Sequence, residues 1–138
     1  MTATDLAAPQ VPVTWAGGTA KYTLSLATYE GVGGEHPVEA VTATDLGVSE
    51  HRTPTMTAAG RSLVLSYWSD KSTATTAWTL PPNLLLRGGT TGSGAGRVSA
   101  ALSDAAAVTA SGGVGGQLGV TDATSSRGFT ATVVLGTP

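Results

Sequence analysis

Two tryptophans stand ten positions apart in SYWSDKSTATTAWTLPP, Ser66 to Pro82, separated only by small, hydroxyl-bearing and charged residues. Indole faces stack on the apolar C–H faces of sugar rings, and neighbouring polar groups meet ring hydroxyls. Tyr67, Trp68 and Trp78 with Asp70 and Lys71 therefore form a candidate glycan contact. The competing reading is architectural. Both indoles lie in strand-like runs on either side of a polar loop, so a hairpin would bring them together across a ladder, where aromatic pairs stabilise by roughly 0.2–1 kcal/mol. The sequence favours core or half-core packing for both.

Other chemistry is scarce. Gly89-Thr-Thr-Gly-Ser-Gly-Ala-Gly-Arg97 has the glycine content of a phosphate cradle, but Gly94 is followed by Ala95 and Gly96 where a P-loop needs Lys and Ser or Thr. Its glycines also miss the dinucleotide spacing, and the stretch reads as a flexible hairpin loop. His36 and His51 are far apart and read as solvated loop residues, and no D-x-D-x-D run supplies a cation loop. No G-x-S-x-G elbow marks a nucleophile. Glu30, Glu35 and Glu39 surround one loop and read as solvated acids. The expectation is a chain with no catalytic residues, no metal site and no cofactor.

The elements that would position these residues are strands. Lys21 to Tyr29 alternates Tyr22, Leu24 and Leu26 with Thr23 and Ser25, the pattern of a half-buried strand with its apolar side inward. Ser62 to Trp68 sets Leu63, Leu65 and Tyr67 against Val64, Ser66 and Trp68; bulk on both faces predicts a central strand. Phe129 to Leu135 repeats the form. Shorter candidates are 11–15, 38–44, 76–80, 84–87, 98–102 and 117–121, separated by Gly-rich turns at 17–18, 31–34, 88–96, 112–116 and 125–128. Only SAALSDAAAV, Ser99 to Val108, has a helical alternative. The fold class expected is all-β, an antiparallel β-sandwich of jelly-roll or Ig-like form with Gly-rich loops and at most one short helix.

Composition narrows the function classes. The 138 residues suffice for one domain with one core, and charged residues make up 12 %, about half the usual share. Seven Lys and Arg are scattered singly and the net charge is −2, so there is no basic stripe for a phosphate backbone. Zero cysteines exclude disulfides and thiolate sites. Met1 to Pro9 lacks the basic and apolar regions of a secretory signal, and no stretch has the length of a membrane span.

TAKYTLSLATYEGV (19–32), HRTPT (51–55), LSYWSDKSTATTAWTLP (65–81), GSGAGRVSAALSD (92–104) and FTATVVL together resemble the C-terminal part of a β-sandwich module. That module occurs in extracellular proteins of actinobacteria and in virion proteins of their phages. The resemblance spans roughly residues 10 to 136 and implies core strands at KYTL and SYW. Related modules begin with further strands, one bearing a tryptophan, before the position matching Val11. The expectation is a sandwich (11–138) preceded by an arm or partial strand (1–10), with an open edge at Leu6, Val11, Val13 and Trp15 that a neighbour covers unless the arm does so. The resemblance implies a non-enzymatic virion protein, a minor tail or capsid-decoration subunit assembled in the host cytoplasm. Its partners would be copies of itself or other virion proteins, without nucleic acid or membrane insertion. The alternative is a carbohydrate-binding or adhesion module, secreted or at a tail tip.

Overall fold

Alternation and turn glycines dictate extended segments. The computed structural model, which describes residues 14, 16, 17, 20–35 and 37–138, contains ten strands and, among those residues, no helix. They are β1 (Val38–Asp45), β2 (Glu50–Arg52), β3 (Thr55–Ala58), β4 (Ser62–Ser72), β5 (Trp78–Thr79), β6 (Leu84–Thr91), β7 (Arg97–Ala105), β8 (Gly112–Gly115), β9 (Leu118–Thr121) and β10 (Arg127–Gly136). A five-stranded sheet in the order β1-β10-β4-β7-β6 faces a three-stranded sheet, β2-β9-β5, and a ribbon, β3-β8. Every pairing is antiparallel. The expected antiparallel sandwich is the observed architecture.

β4 is central, as its two bulky faces require, with β10 on one side and β7 on the other. Its register aligns Thr130, Trp68 and Ala101 in one row across the large sheet and Val133, Leu65 and Asp104 in another. The first row belongs to the inner face, which meets the small sheet. The second belongs to the outer face.

The interface between layers combines apolar contact with hydrogen bonds. Trp68 is 0 % exposed, and its Nε1 donates to the His51 carbonyl of β2 at 3.0 Å. From β10, the Thr130 and Thr132 hydroxyls donate to the carbonyls of Arg52 (3.1 Å) and Pro54 (2.6 Å). Each such bond contributes about 0.5–1.5 kcal/mol net, and together they fix the separation and register of the layers. Two glycines permit the close approach. A Cβ on Gly119 would stand 2.9 Å from Trp68 Nε1, so the indole lies flat against bare backbone of β9. Gly115 combines a φ of +90° with the Pro54 carbonyl oxygen 2.2 Å from its would-be Cβ, a position closed to every other residue.

Three expectations are corrected. SAALSDAAAV is not helical: residues up to Ala105 belong to β7, because ladders with β4 and β6 on both sides outweigh the helical propensity of alanine. Trp68 and Trp78 do not face each other across a hairpin. β4 pairs with β10 and β7, while β5 pairs with β9 in the opposite layer.

The third correction concerns 21–29, which carries no strand assignment. Its alternation is present with the opposite sense: Thr23, Ser25, Ala27 and Tyr29 are half-buried, while Tyr22, Leu24 and Leu26 are 63 %, 62 % and 66 % exposed. Anchors at both ends explain the parity. Lys21 Nζ donates to the Ala95 carbonyl, and the Tyr29 hydroxyl donates to Asp104 Oδ2 at 2.8 Å on the outer face. Both anchors are odd-numbered, and a period of two then turns the odd side to the sheet and the leucines to solvent. Farther on, Gly33 N donates to the Gly136 carbonyl at 2.9 Å, so the segment runs as a strap over the outer face.

Candidate functional site

The residues proposed for glycan contact separate into three environments. Tyr67 projects from the outer face of β4, half-buried, with its ring 6.2 Å from that of Phe129. Trp68 projects inward and is sealed. Lys71 is exposed near the end of β4. Asp70 is 2 % exposed and both carboxylate oxygens are engaged, one by the Thr75 hydroxyl at 2.7 Å and one by the Ser99 hydroxyl. Ser99 Oγ in turn accepts from Trp78 Nε1 at 2.9 Å. The chain Trp78→Ser99→Asp70 therefore fixes the second indole from behind. Asp70 orients Trp78, and a flat platform of both indoles with Asp70 does not exist in this geometry.

Trp78 keeps part of its surface. It packs on the His51 ring at a centroid distance of 5.3 Å and forms one wall of a cleft of about 260 Å3. Leu80 and Thr76 continue that wall. Leu86, Gly89 and Thr91 of β6 form the other, and Ala101 contributes to the lining. No charged side chain lines the cleft among the described residues. A second cleft of about 250 Å3 lies along the same strand, with Leu84 and Val64 in its lining. The cause is the inequality of the layers. Five strands face a narrower layer whose edge strand, β5, has two residues, and β7 is the one substantial neighbour of β6 among the described strands. The seam between β5 and β6 is open, and Leu86 is 61 % exposed there.

The reading of His51 as a solvated loop residue is overturned. His51 lies on β2 and is 0 % exposed. Its Nδ1 is 2.9 Å from both Asp45 oxygens, and its Nε2 is 3.3 Å from Ser125 Oγ and 3.5 Å from Thr121 Oγ1. Asp, His and Ser thus meet in the order of a nucleophilic triad, but Ser125 is 1 % exposed and donates its proton to the Val48 carbonyl at 2.9 Å. A substrate carbonyl has no approach to that oxygen. The trio joins β1, β2 and the turn before β10. Gly128 makes room for it, since a Cβ there would fall 2.1 Å from Asp45 Oδ1. Among the described residues no group of three or more acidic or histidine side chains is placed to hold a metal ion, and no helix is long and apolar enough to cross a membrane.

A polar cluster invisible in the sequence lies under the strap. Asp104 is fully buried on the outer face, where Arg87 Nε donates to its Oδ2 at 2.6 Å alongside the Tyr29 hydroxyl. Burial, reinforced by the Asp104 carboxylate, pushes the Tyr29 phenol up to about 12. The same carboxylate raises Arg87 above its ordinary value. The signal was present in the alternation Val98, Ala100, Leu102, Asp104, which puts a carboxylate on an apolar strand face and so requires partners.

Leu6, Val11, Val13 and Trp15, expected at an assembly edge, and His36 lie outside the described residues. Comparison with protein-family models, with curated proteins and with solved structures finds no match to this chain.

Proposed function

We propose that this chain is a non-enzymatic structural subunit that works by contact with neighbouring subunits. The setting we propose is a virion of an actinobacterial phage, as a minor tail protein or capsid decoration protein assembled in the host cytoplasm, with copies of itself or other virion proteins as partners. The observation that carries the reading is the strap, where Leu24 and Leu26 stand out of the surface at more than 60 % exposure while small and hydroxyl residues face the sheet. Water penalises such an arrangement at about 25 cal/mol for each Å2 of apolar surface, and contiguous apolar surface rimmed by polar residues marks interaction sites. The virion setting rests on the resemblance of the five sequence stretches.

Size-exclusion chromatography with light scattering tests the reading. The protein is expected to elute as an oligomer, and Leu24→Asp with Leu26→Asp is expected to convert it to a folded monomer. A parent protein that stays monomeric, alone and with the virion proteins encoded beside it, would refute the proposal.

A second reading, carbohydrate binding by a secreted or tail-tip module, draws on the Trp78 cleft. Its indole lies beside the hydroxyl-bearing Thr76, Thr90 and Thr91 without a charged side chain. A glycan array probed with the parent and with Trp78→Ala discriminates it.

A further inference from the structure

The strap and the seam are two different apolar surfaces on one chain, and neither is covered by the described residues. We infer that they are the two halves of one heterologous contact: the Leu24 and Leu26 stripe of one copy seats in the β5–β6 seam of the next, against Trp78, Leu80 and Leu86. This inference rests on the assembly reading above and names its surfaces and its partner, a second copy of this chain.

Form and charge favour this occupant. The seam is lined without a charged side chain, and the stripe between Lys21 and Glu30 is likewise uncharged, so neither half brings an unpaired charge into the contact. An apolar cavity of about 150 Å3 holds a benzene ring. A cleft of about 260 Å3 therefore has room for branched side chains arriving at a period of two.

Area decides between this arrangement and stripe-on-stripe pairing. Tyr22, Leu24 and Leu26 at their observed exposures present on the order of 350 Å2, whereas a stable pair buries roughly 800 Å2 on each partner. One stripe buried against another falls well short. When stripe and seam engage different neighbours, every copy buries both surfaces, and the burial per copy roughly doubles toward the required figure. Head-to-tail contacts of this kind close into rings or run on as filaments. The seam is also where the narrower layer leaves β6 uncovered, so a neighbour's strap supplies what the sandwich lacks.

Sedimentation velocity on the full chain tests the pairing. Leu24→Asp and Leu86→Asp are each expected to reduce the parent oligomer to monomer. Mixed together they are expected to give a one-to-one dimer and nothing larger, because each variant retains the surface that the other lacks. Both sites are more than 60 % exposed, so both variants should keep the parent's melting curve, and that measurement excludes unfolding as the cause. Dissociation by Leu24→Asp with no effect of Leu86→Asp would overturn the seam as receptor while leaving the assembly reading intact. A parent that is monomeric at every concentration would overturn both. Glycan binding lost in Trp78→Ala, with self-association unchanged by Leu86→Asp, would assign the cleft to a sugar and overturn the inference.

Discussion

Replacing Trp68 by alanine is the perturbation with the largest expected consequence. The side chain is fully buried between the layers and its Nε1 holds the His51 carbonyl of the opposite sheet at 3.0 Å. Loss of transfer energy and the cavity left behind cost about 3–5 kcal/mol for a buried tryptophan. The orphaned carbonyl adds about 1–3 kcal/mol when water cannot reach it. The two losses overlap because the cavity admits water, so the sum lies at about 4–6 kcal/mol. A domain of 138 residues at about 0.05–0.15 kcal/mol per residue has roughly 7–20 kcal/mol in total. At about 3–4 °C per kcal/mol for this size, Tm should fall by roughly 12–20 °C. Thermal melts followed by circular dichroism, with urea titrations for the free energy, measure it. Trp68→Phe keeps most of the packing and loses only the donor, and should cost about 1–3 kcal/mol. A Trp68→Ala protein melting within a few degrees of the parent would refute the placement of this indole and the pairing of the layers built on it.

Other consequences are open to measurement. Gly119→Ala puts a methyl about 3 Å from the Trp68 ring and should destabilise by about 1–3 kcal/mol in urea titrations. Combined with Trp68→Ala, whose cavity absorbs the methyl, its further cost should largely vanish. The fold favours the neutral Tyr29 phenol. Its contribution is therefore complete below pH 10 and lost as pH rises through about 12, and tyrosinate absorbance of the parent minus Tyr29→Phe should show that late titration. Asp122 is held below its ordinary value by the Thr76 hydroxyl and amide, so its contribution is present above about pH 4 and disappears as acid reaches the lowered pKa. Thr76→Val should move the Asp122 titration, followed by carboxyl-carbon NMR, back toward the ordinary range.

The sequence reading recovered what alternation controls. β4 and β10 were legible because bulk on both faces of Leu63 to Trp68, and the regular alternation of Phe129 to Leu135, leave few other ways to bury those residues. β2, β3 and β8 were not legible. Three or four residues such as Glu50-His51-Arg52 or Gly112–Gly115 carry no periodic signal, and only the opposite strand makes them strands. The strap shows the deeper limit. Period two was read correctly in Lys21 to Tyr29, but the sense of the alternation depends on Asp104 and Ala95, more than seventy residues away. His51 failed for the same reason: its partners Thr121 and Ser125 come from distant chain, and Asp45 joins it only when β1 and β2 are in place. The Trp78 cleft was half legible. The indole was singled out, but its opposite wall, Leu86 and Thr91, belongs to a strand that the Gly88-Gly89 pair made look like a loop.

The central claim is that the uncovered seam along β6 is closed by a neighbouring copy. Hydrogen exchange of the Leu84–Thr91 amides across a concentration series tests it most directly. The account predicts that protection in this segment grows as the protein is concentrated, while the β4 amides remain unchanged. Exchange along β6 that is slow already in dilute monomer, or that ignores concentration in a sample shown to be oligomeric, would contradict it.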